Sequence, residues 1–300
     1  MSLRDSLLSL QHRTRRFQAF TRRRLRRRGM TLKQHLLPPG VLPDFLIIGS
    51  MKCGTTTLFH MLSTHPGVEP PATKEIQFFN QPWNHARGEA WYRAHFPGEQ
   101  RMQRLADELG YRPLTGEATP AMSVPMYAEN AAALVPGARL VVTLRNPVER
   151  AYSHFQHMRH HPRPERLSFA EALRTEQALL EQGISVNPDN FRQHGQRLVK
   201  FGYLNRGRYA LELAHWLRHF PREQMLILNF DTWKREPEQA AARVTEFLGL
   251  PPHPYQARRS NRGVYPEPMP NDCREFLTEF YRPWNRQLFD LLGEDWGWPS

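Results

Sequence analysis

The feature that most constrains this chain's fold is the stretch "DFLIIGSMKCGTTTLFHML", residues 44 to 62. Phe45 to Ile48 form a short apolar run bounded by Pro43 and Gly49, the length of a buried strand. After Gly54, the residues Leu58, Met61 and Leu62 recur at helical spacing, so the stretch predicts strand, loop, helix. Free amides at the helix start and in the loop then converge on one point and favour an anionic group there. Lys52 adds a charge inside the loop, and Thr55, Thr56 and Thr57 add hydroxyl donors. A glycine-bounded turn from strand to helix also occurs without any ligand, so this stretch alone does not fix a function.

Gly49 and Gly54 stand at the spacing of the pattern G-x-x-x-x-G-K-[ST], yet Thr55 follows where that pattern has lysine. A nucleotide kinase, ATPase or GTPase reading therefore lacks the side chain that reaches the terminal phosphates. Cys53 also fails as a phosphatase nucleophile, because Phe59 stands where the arginine is expected.

Three hundred residues with 40% hydrophobic content suffice for one large globular domain. No apolar run approaches the roughly 20 residues of a membrane span, and the N-terminus lacks the apolar core of a secretory signal. Two cysteines, Cys53 and Cys273, 220 positions apart, argue against a disulfide framework and for a reducing compartment. The expectation is a soluble, cytoplasmic chain.

The net charge of +12 first suggests nucleic acid, but residues 1 to 30 hold ten arginines against the single acid Asp5, a net +9. The basicity belongs to an N-terminal arm, residues 1 to 40, ahead of a globular domain over residues 41 to 300. Leu3, Leu7, Leu10, Phe17 and Phe20 interleave with the arginines. That is the pattern of a basic helix lying on an anionic membrane surface, peripheral at the inner face, and equally of a solvated terminal arm. No aromatic-basic recognition module follows the arm, which speaks against nucleic acid as a partner.

A second stretch, "ARLVVTLRNPVERAYSHFQHMR", spans Ala138 to Arg159. Leu140 to Leu144 predict another strand, Asn146 a cap, Pro147 the first helical position, and Glu149 the third residue after the cap. Arg145 then lies at the carboxyl end of a strand, where open α/β sheets bind ligands, and Ser153 lies two turns into the next helix. Arginine's fork suits phosphate oxygens, although a buried arginine paired with an acid has the same local pattern. Two anion sites at one sheet edge suit a nucleotide carrying anions at both its 5′ and 3′ positions.

With these two stretches the sequence resembles sulfotransferases that use 3′-phosphoadenosine 5′-phosphosulfate (PAPS). "PDFLIIGSMKCGTTTL" and "LVVTLRNPVERAYSHF" resemble that family's 5′-phosphosulfate and 3′-phosphate signatures. "KEIQFFN", "GEATP", "RGRYALELAHWLRHFP" and "FYRPWNRQLFDLLGEDWGW" resemble its heparan-sulfate branch, in order, over roughly residues 43 to 298. The resemblance implies that Lys52, with Cys53, Gly54, Thr55, Thr56 and Thr57, holds the 5′-phosphosulfate, and that Arg145 and Ser153 hold the 3′-phosphate. It implies a nucleotide-positioning role for Tyr209 and a late loop, "RRSNRGVY", whose Arg262 and Gly263 close over the nucleotide. Glu75 is the family-matched base for the acceptor hydroxyl, with Lys74 beside it to orient the sulfonate. Lys52 inside the loop stabilises charge on the leaving oxygen without magnesium, so no metal is expected. Members of this branch often carry a lysine where Ala118 stands here and a disulfide hairpin for which Cys273 has no nearby partner; these departures touch acceptor recognition.

His154, His157 and His161 share a helical face without the acid that completes a zinc motif, and are expected to form a polar rim lining an acceptor groove. Trp216 and Leu217, and Phe280, Trp284 and Leu288, are expected in the core. The expected fold is α/β, a P-loop-like central parallel sheet flanked by helices on both faces. It has a further strand over Met225 to Phe230 and a carboxyl-terminal helix, about Asp272 to Leu292, packing over that strand. The expected activity is sulfuryl transfer from PAPS to a hydroxyl or amine of a carbohydrate-like acceptor. The alternatives are a P-loop nucleotide kinase or NTPase and a catalytically silent nucleotide-binding or membrane-tethering protein.

Overall fold

The computed structural model describes residues 38–184, 186–187, 189–256 and 267–300. Its labelled elements, in chain order, are β1 (Phe45–Gly49), α1 (Thr55–Leu62), α2 (Glu99–Leu109), β2 (Gly116–Glu117), α3 (Pro125–Leu134), β3 (Arg139–Leu144), α4 (Pro147–Arg159), α5 (Phe169–Glu181), α6 (Tyr209–Trp216), β4 (Met225–Asn229), α7 (Pro237–Phe247) and α8 (Asn271–Leu292). The four strands form one sheet in the order β2-β1-β3-β4, and every pairing is parallel. Strand order therefore reverses at β1 and β3, whose carboxyl ends flank the crevice where sheets of this kind take ligands.

Alternation along the strands divides the core. Leu46, Ile48, Leu140, Val142 and Leu144 join one cluster with the aromatic residues Phe79, Tyr92, Tyr127 and Trp216. Phe45, Ile47, Val141 and Leu228 face the other way, onto α1 and α7. Both faces are covered, which is why β1 is apolar throughout rather than alternating with polar residues. A third cluster joins α4, α5 and α8 around Tyr203 and Tyr281.

The strand after α6 ends at Asn229, one residue short of the predicted end, because the Asn229 side chain caps a short helix, Phe230–Trp233. The carboxyl-terminal helix covers the expected residues but packs mainly against α6 and α4 rather than over β4. Its buried residues recur at Cys273, Leu277, Tyr281, Asn285 and Leu288, a stripe that fits between two helices. Trp216 and Leu288 are fully buried, and Leu217, Phe280 and Trp284 are partly so. Among the described residues no helix is long and apolar enough to cross a membrane.

Candidate active site

The loop after β1 is built for close approach. Gly54 caps α1 at φ 79°, left-handed backbone that disfavours a side chain. A Cβ there would also run into the rings of Trp233 and Phe230, the latter at 2.7 Å. Lys52 takes φ 72°, so its backbone is turned within the loop. Thr143 of β3 fixes the loop twice: its carbonyl accepts from Ser50 N at 2.6 Å and its hydroxyl donates to the Cys53 carbonyl. Thr56 and Thr57 are half-buried at the start of α1, and Thr55 is buried.

Cys53 contributes backbone only. Its side chain is fully buried, and burial pushes the thiol up to about 11 despite the guanidiniums of Arg150 and Arg145. Its amide already donates to Ser50 O at 3.2 Å. The buried thiol therefore offers nothing to a ligand, and what Cys53 brings to the loop is its backbone.

Arg145 lies where the second stretch predicts, at the end of β3. Asn146 caps α4 by accepting from Val148 N at 3.0 Å, so the chain turns sharply after Arg145. Its backbone carbonyl accepts from Tyr209 Oη at 2.9 Å. The guanidinium lies 5.6 Å from the centre of the Phe230 ring and 3.9 Å from Glu149, while Arg274 takes the same carboxylate at 2.6 Å. Arg145 Nε is buried and has no partner among the described residues. Phe230 thus stands beneath both Gly54 and Arg145, which brings the two predicted anion sites side by side. Ser153 is buried on α4. Arg262 and Gly263 lie outside the described residues.

Lys74 and Glu75 form an ion pair at 3.0 Å, each largely covered. Their segment is held from beneath by the end of β2. Glu117 is fully buried and accepts from Ile76 N (3.1 Å), Tyr92 Oη (2.8 Å) and Thr119 Oγ1 (2.6 Å). Burial raises its pKa, and those three bonds draw it back. Ala118 N donates to Lys74 O at 3.0 Å, so the pair is fixed to the sheet on both sides of Glu75.

His154 corrects the expectation of a polar rim. It is fully buried, its Nε2 lies 3.1 Å from Lys200 O, and its ring meets Tyr203 edge-on at 5.0 Å. Burial, with the charges of Arg150 and Arg206, holds its pKa well below the ordinary imidazole value. It is therefore a neutral residue inside the protein. His157 is half-buried on α4, and His161 lies just beyond the helix.

Sequence reasoning missed a buried charged cluster behind this edge. Arg150 is fully buried and donates to Tyr203 O. Glu176 accepts from Tyr203 N (2.6 Å), Leu204 N (2.9 Å) and Asn205 N (2.7 Å), and burial raises it to about 7. Glu212 is buried too and raised to about 7, by burial against the opposing pull of Arg150, Arg206 and Arg208. Arg206 donates to Met51 Sδ at 2.9 Å, directly against the loop beside Lys52. The signal was present in "RGRY", next to the predicted nucleotide-positioning Tyr209. Away from this edge, Glu129, His215 and His219 come within metal-ligating reach of one another. However, His215 Nε2 is 3.0 Å from Pro125 O and Nδ1 faces Arg218, so both ring nitrogens are engaged.

The model of the sulfotransferase domain family matches residues 42–277. The chain belongs to the sulfotransferase domain family. A bifunctional heparan sulfate N-deacetylase/N-sulfotransferase 1 of Caenorhabditis elegans is 31% identical over 290 residues, covering 86% of this chain and 31% of that protein. The human bifunctional heparan sulfate N-deacetylase/N-sulfotransferase 2 is 31% identical over 283 residues, covering 84% of this chain and 29% of that one. The chain thus spans about a third of the length of the curated relatives it matches. A solved sulfotransferase from Alicyclobacillus acidocaldarius superposes with a TM-score of 0.63 at 29% identity, covering 85% of this chain and 97% of that one. The parallel sheet with helices on both faces is thus the sulfotransferase fold, and the kinase alternative is not favoured.

Proposed function

We propose that this chain transfers a sulfuryl group from PAPS to a hydroxyl, or an amine, of a carbohydrate-like acceptor. The observation that carries the reading is the pair of adjacent cationic positions, the Lys52 loop and Arg145, joined over Phe230. Arg145 keeps a buried Nε with no partner among the described residues, which fits a site made to receive an anion. PAPS supplies an activated sulfuryl group and carries anions at its 5′ and 3′ positions. Lys52 and Gly54, with the amides and hydroxyls of Thr55, Thr56 and Thr57, hold the 5′ end; Arg145 and Ser153 hold the 3′-phosphate. Tyr209, bonded to the Arg145 carbonyl, positions the nucleotide, and Arg262 and Gly263 are further residues that bind it.

Lys52 stabilises the negative charge that builds on the leaving oxygen, which makes a metal unnecessary. Glu75 accepts the acceptor's proton, and Lys74, its ion-pair partner, orients the sulfonate. The names of the relatives, N-sulfotransferases of heparan sulfate, support a carbohydrate acceptor. The Arg-rich arm attaches the protein to an anionic membrane surface, and the chain works in the cytoplasm at the inner face; nucleic acid is not its partner. The test is incubation with sulfur-labelled PAPS, a chelator and fractionated acceptors from the source cell. Label in a carbohydrate fraction is expected; label in none, with magnesium-dependent ATP turnover instead, overturns the reading in favour of a kinase.

A further inference from the structure

Arg206 is an anomaly in this molecule. It is 6% exposed, yet among the described residues its one polar side-chain contact at hydrogen-bonding distance is to a thioether, Met51 Sδ at 2.9 Å. Its Nε is buried with no partner among the described residues. Thioether sulfur is a weak acceptor, so this contact does not satisfy a guanidinium. The acids nearby do not complete it. Glu212 is buried with both carboxylate oxygens unpartnered among the described residues, and Glu176 already accepts three backbone amides. Burial and Arg150 lower the Arg206 pKa to about 10, which still leaves it charged at neutral pH. A buried cation with unfilled donors is costly unless something supplies acceptors.

Its surroundings say what that is. Met51 belongs to the anion loop and immediately precedes Lys52. The carboxylates of Glu212, Glu176 and, more weakly, Glu75 favour the charge on Arg206, and Arg206 and Lys52 both act on His154. The guanidinium therefore shares one neighbourhood with the loop, the leaving-group lysine and the proposed base. We propose that Arg206 is a donor-binding residue that grips the transferring sulfonate of PAPS alongside Lys52. The inference rests on the sulfotransferase reading and adds to it a residue for the group that moves. Arg206 would hold the sulfonyl oxygens while the acceptor oxygen bonds to sulfur and the bond from sulfur to the 5′-phosphate oxygen breaks. That oxygen keeps the electron pair, and the acceptor proton goes to Glu75. Because the sulfonyl oxygens are electron-rich before and during transfer, Arg206 contributes to donor affinity more than to turnover.

The test compares binding of two ligands by calorimetry without acceptor: PAPS, and adenosine 3′,5′-bisphosphate, which lacks the sulfonate. Arg206→Met preserves the contact with Met51 in apolar form, and Arg206→Lys keeps the charge but loses the fork. The Met variant is expected to bind PAPS about tenfold to 150-fold more weakly, the range for a lost charged hydrogen bond, with bisphosphate affinity unchanged. The Lys variant is expected to lose severalfold on PAPS alone, and it carries the test if the Met variant does not fold. Equal losses on both ligands, or an unchanged PAPS affinity with a raised KM for acceptor, overturn the assignment. Wild-type protein that binds neither ligand overturns the donor reading itself, and this proposal with it.

Discussion

Replacing Arg145 with alanine separates a phosphate-binding arginine from a structural one. In the free protein the guanidinium has weak partners: a carboxylate 3.9 Å away that Arg274 holds more closely, and the face of Phe230 at 5.6 Å. Contacts of this kind are worth roughly 1 kcal/mol or less each, so the variant should lose little stability. Against a 3′-phosphate, charged hydrogen bonds are worth roughly 1.5–3 kcal/mol, which converts to about a tenfold to 150-fold weaker affinity. Calorimetry in a chelator, with adenosine 3′,5′-bisphosphate and AMP as ligands, reads this directly. The bisphosphate should weaken by that factor while AMP, lacking the 3′-phosphate, barely changes, and the melting temperature should stay close to wild type. Equal weakening of both ligands, or a large fall in melting temperature with the bisphosphate unaffected, would refute the two-site argument.

Glu75→Gln should leave bisphosphate affinity intact and lower kcat at least about a hundredfold, the lower end of general-base contributions; near-normal kcat on the true acceptor would remove Glu75 as the base. Glu212 titrates at about 7 in the fold because burial disfavours its charge. Between the ordinary carboxylate range and that value the unfolded chain has released the proton that the native state retains, so this group's contribution to stability falls as pH rises. Glu212→Gln should therefore gain on wild type in melting temperature at pH 8 relative to pH 5, and the opposite trend in thermal melts would contradict the assignment. Deleting residues 1–30 should lower binding to vesicles containing phosphatidylserine, in a salt-dependent way, while turnover of a soluble acceptor persists; unchanged vesicle binding would leave the arm a solvated tail.

The loop after β1, the cap at Asn146 and the position of Arg145 were legible because each rests on local chemistry: apolar runs, a glycine at positive φ, a side chain capping its own helix. The two-residue strand Gly116–Glu117 was not, since its place in the sheet comes from pairing with Phe45 and Leu46 rather than from any run of its own. Nor was the interior of α4, where His154 looks like a surface histidine until Tyr203 and Lys200, 49 and 46 positions away, close over it. Glu176 has the same character. Taken alone it is one more acid on an amphipathic helix, and only the return of the chain at Tyr203, Leu204 and Asn205 gives it three amides to receive. Resemblance to a family carried the candidate base, Glu75, which no local rule distinguishes from a surface ion pair.

Thr143 acts as a spacer. One residue of β3 ties the Ser50 amide and the Cys53 carbonyl, and two positions later the same strand delivers Arg145. On the proposed reading the two anion positions are jaws of a single caliper, and the backbones that carry them, the loop of Lys52 and the start of Arg145, are tied to one strand. A ligand of the right charge but the wrong span, such as a nucleotide phosphorylated at the 2′ rather than the 3′ position, meets one jaw or the other. In a site so built, selection would be made by length first, with charge then rewarding what already fits.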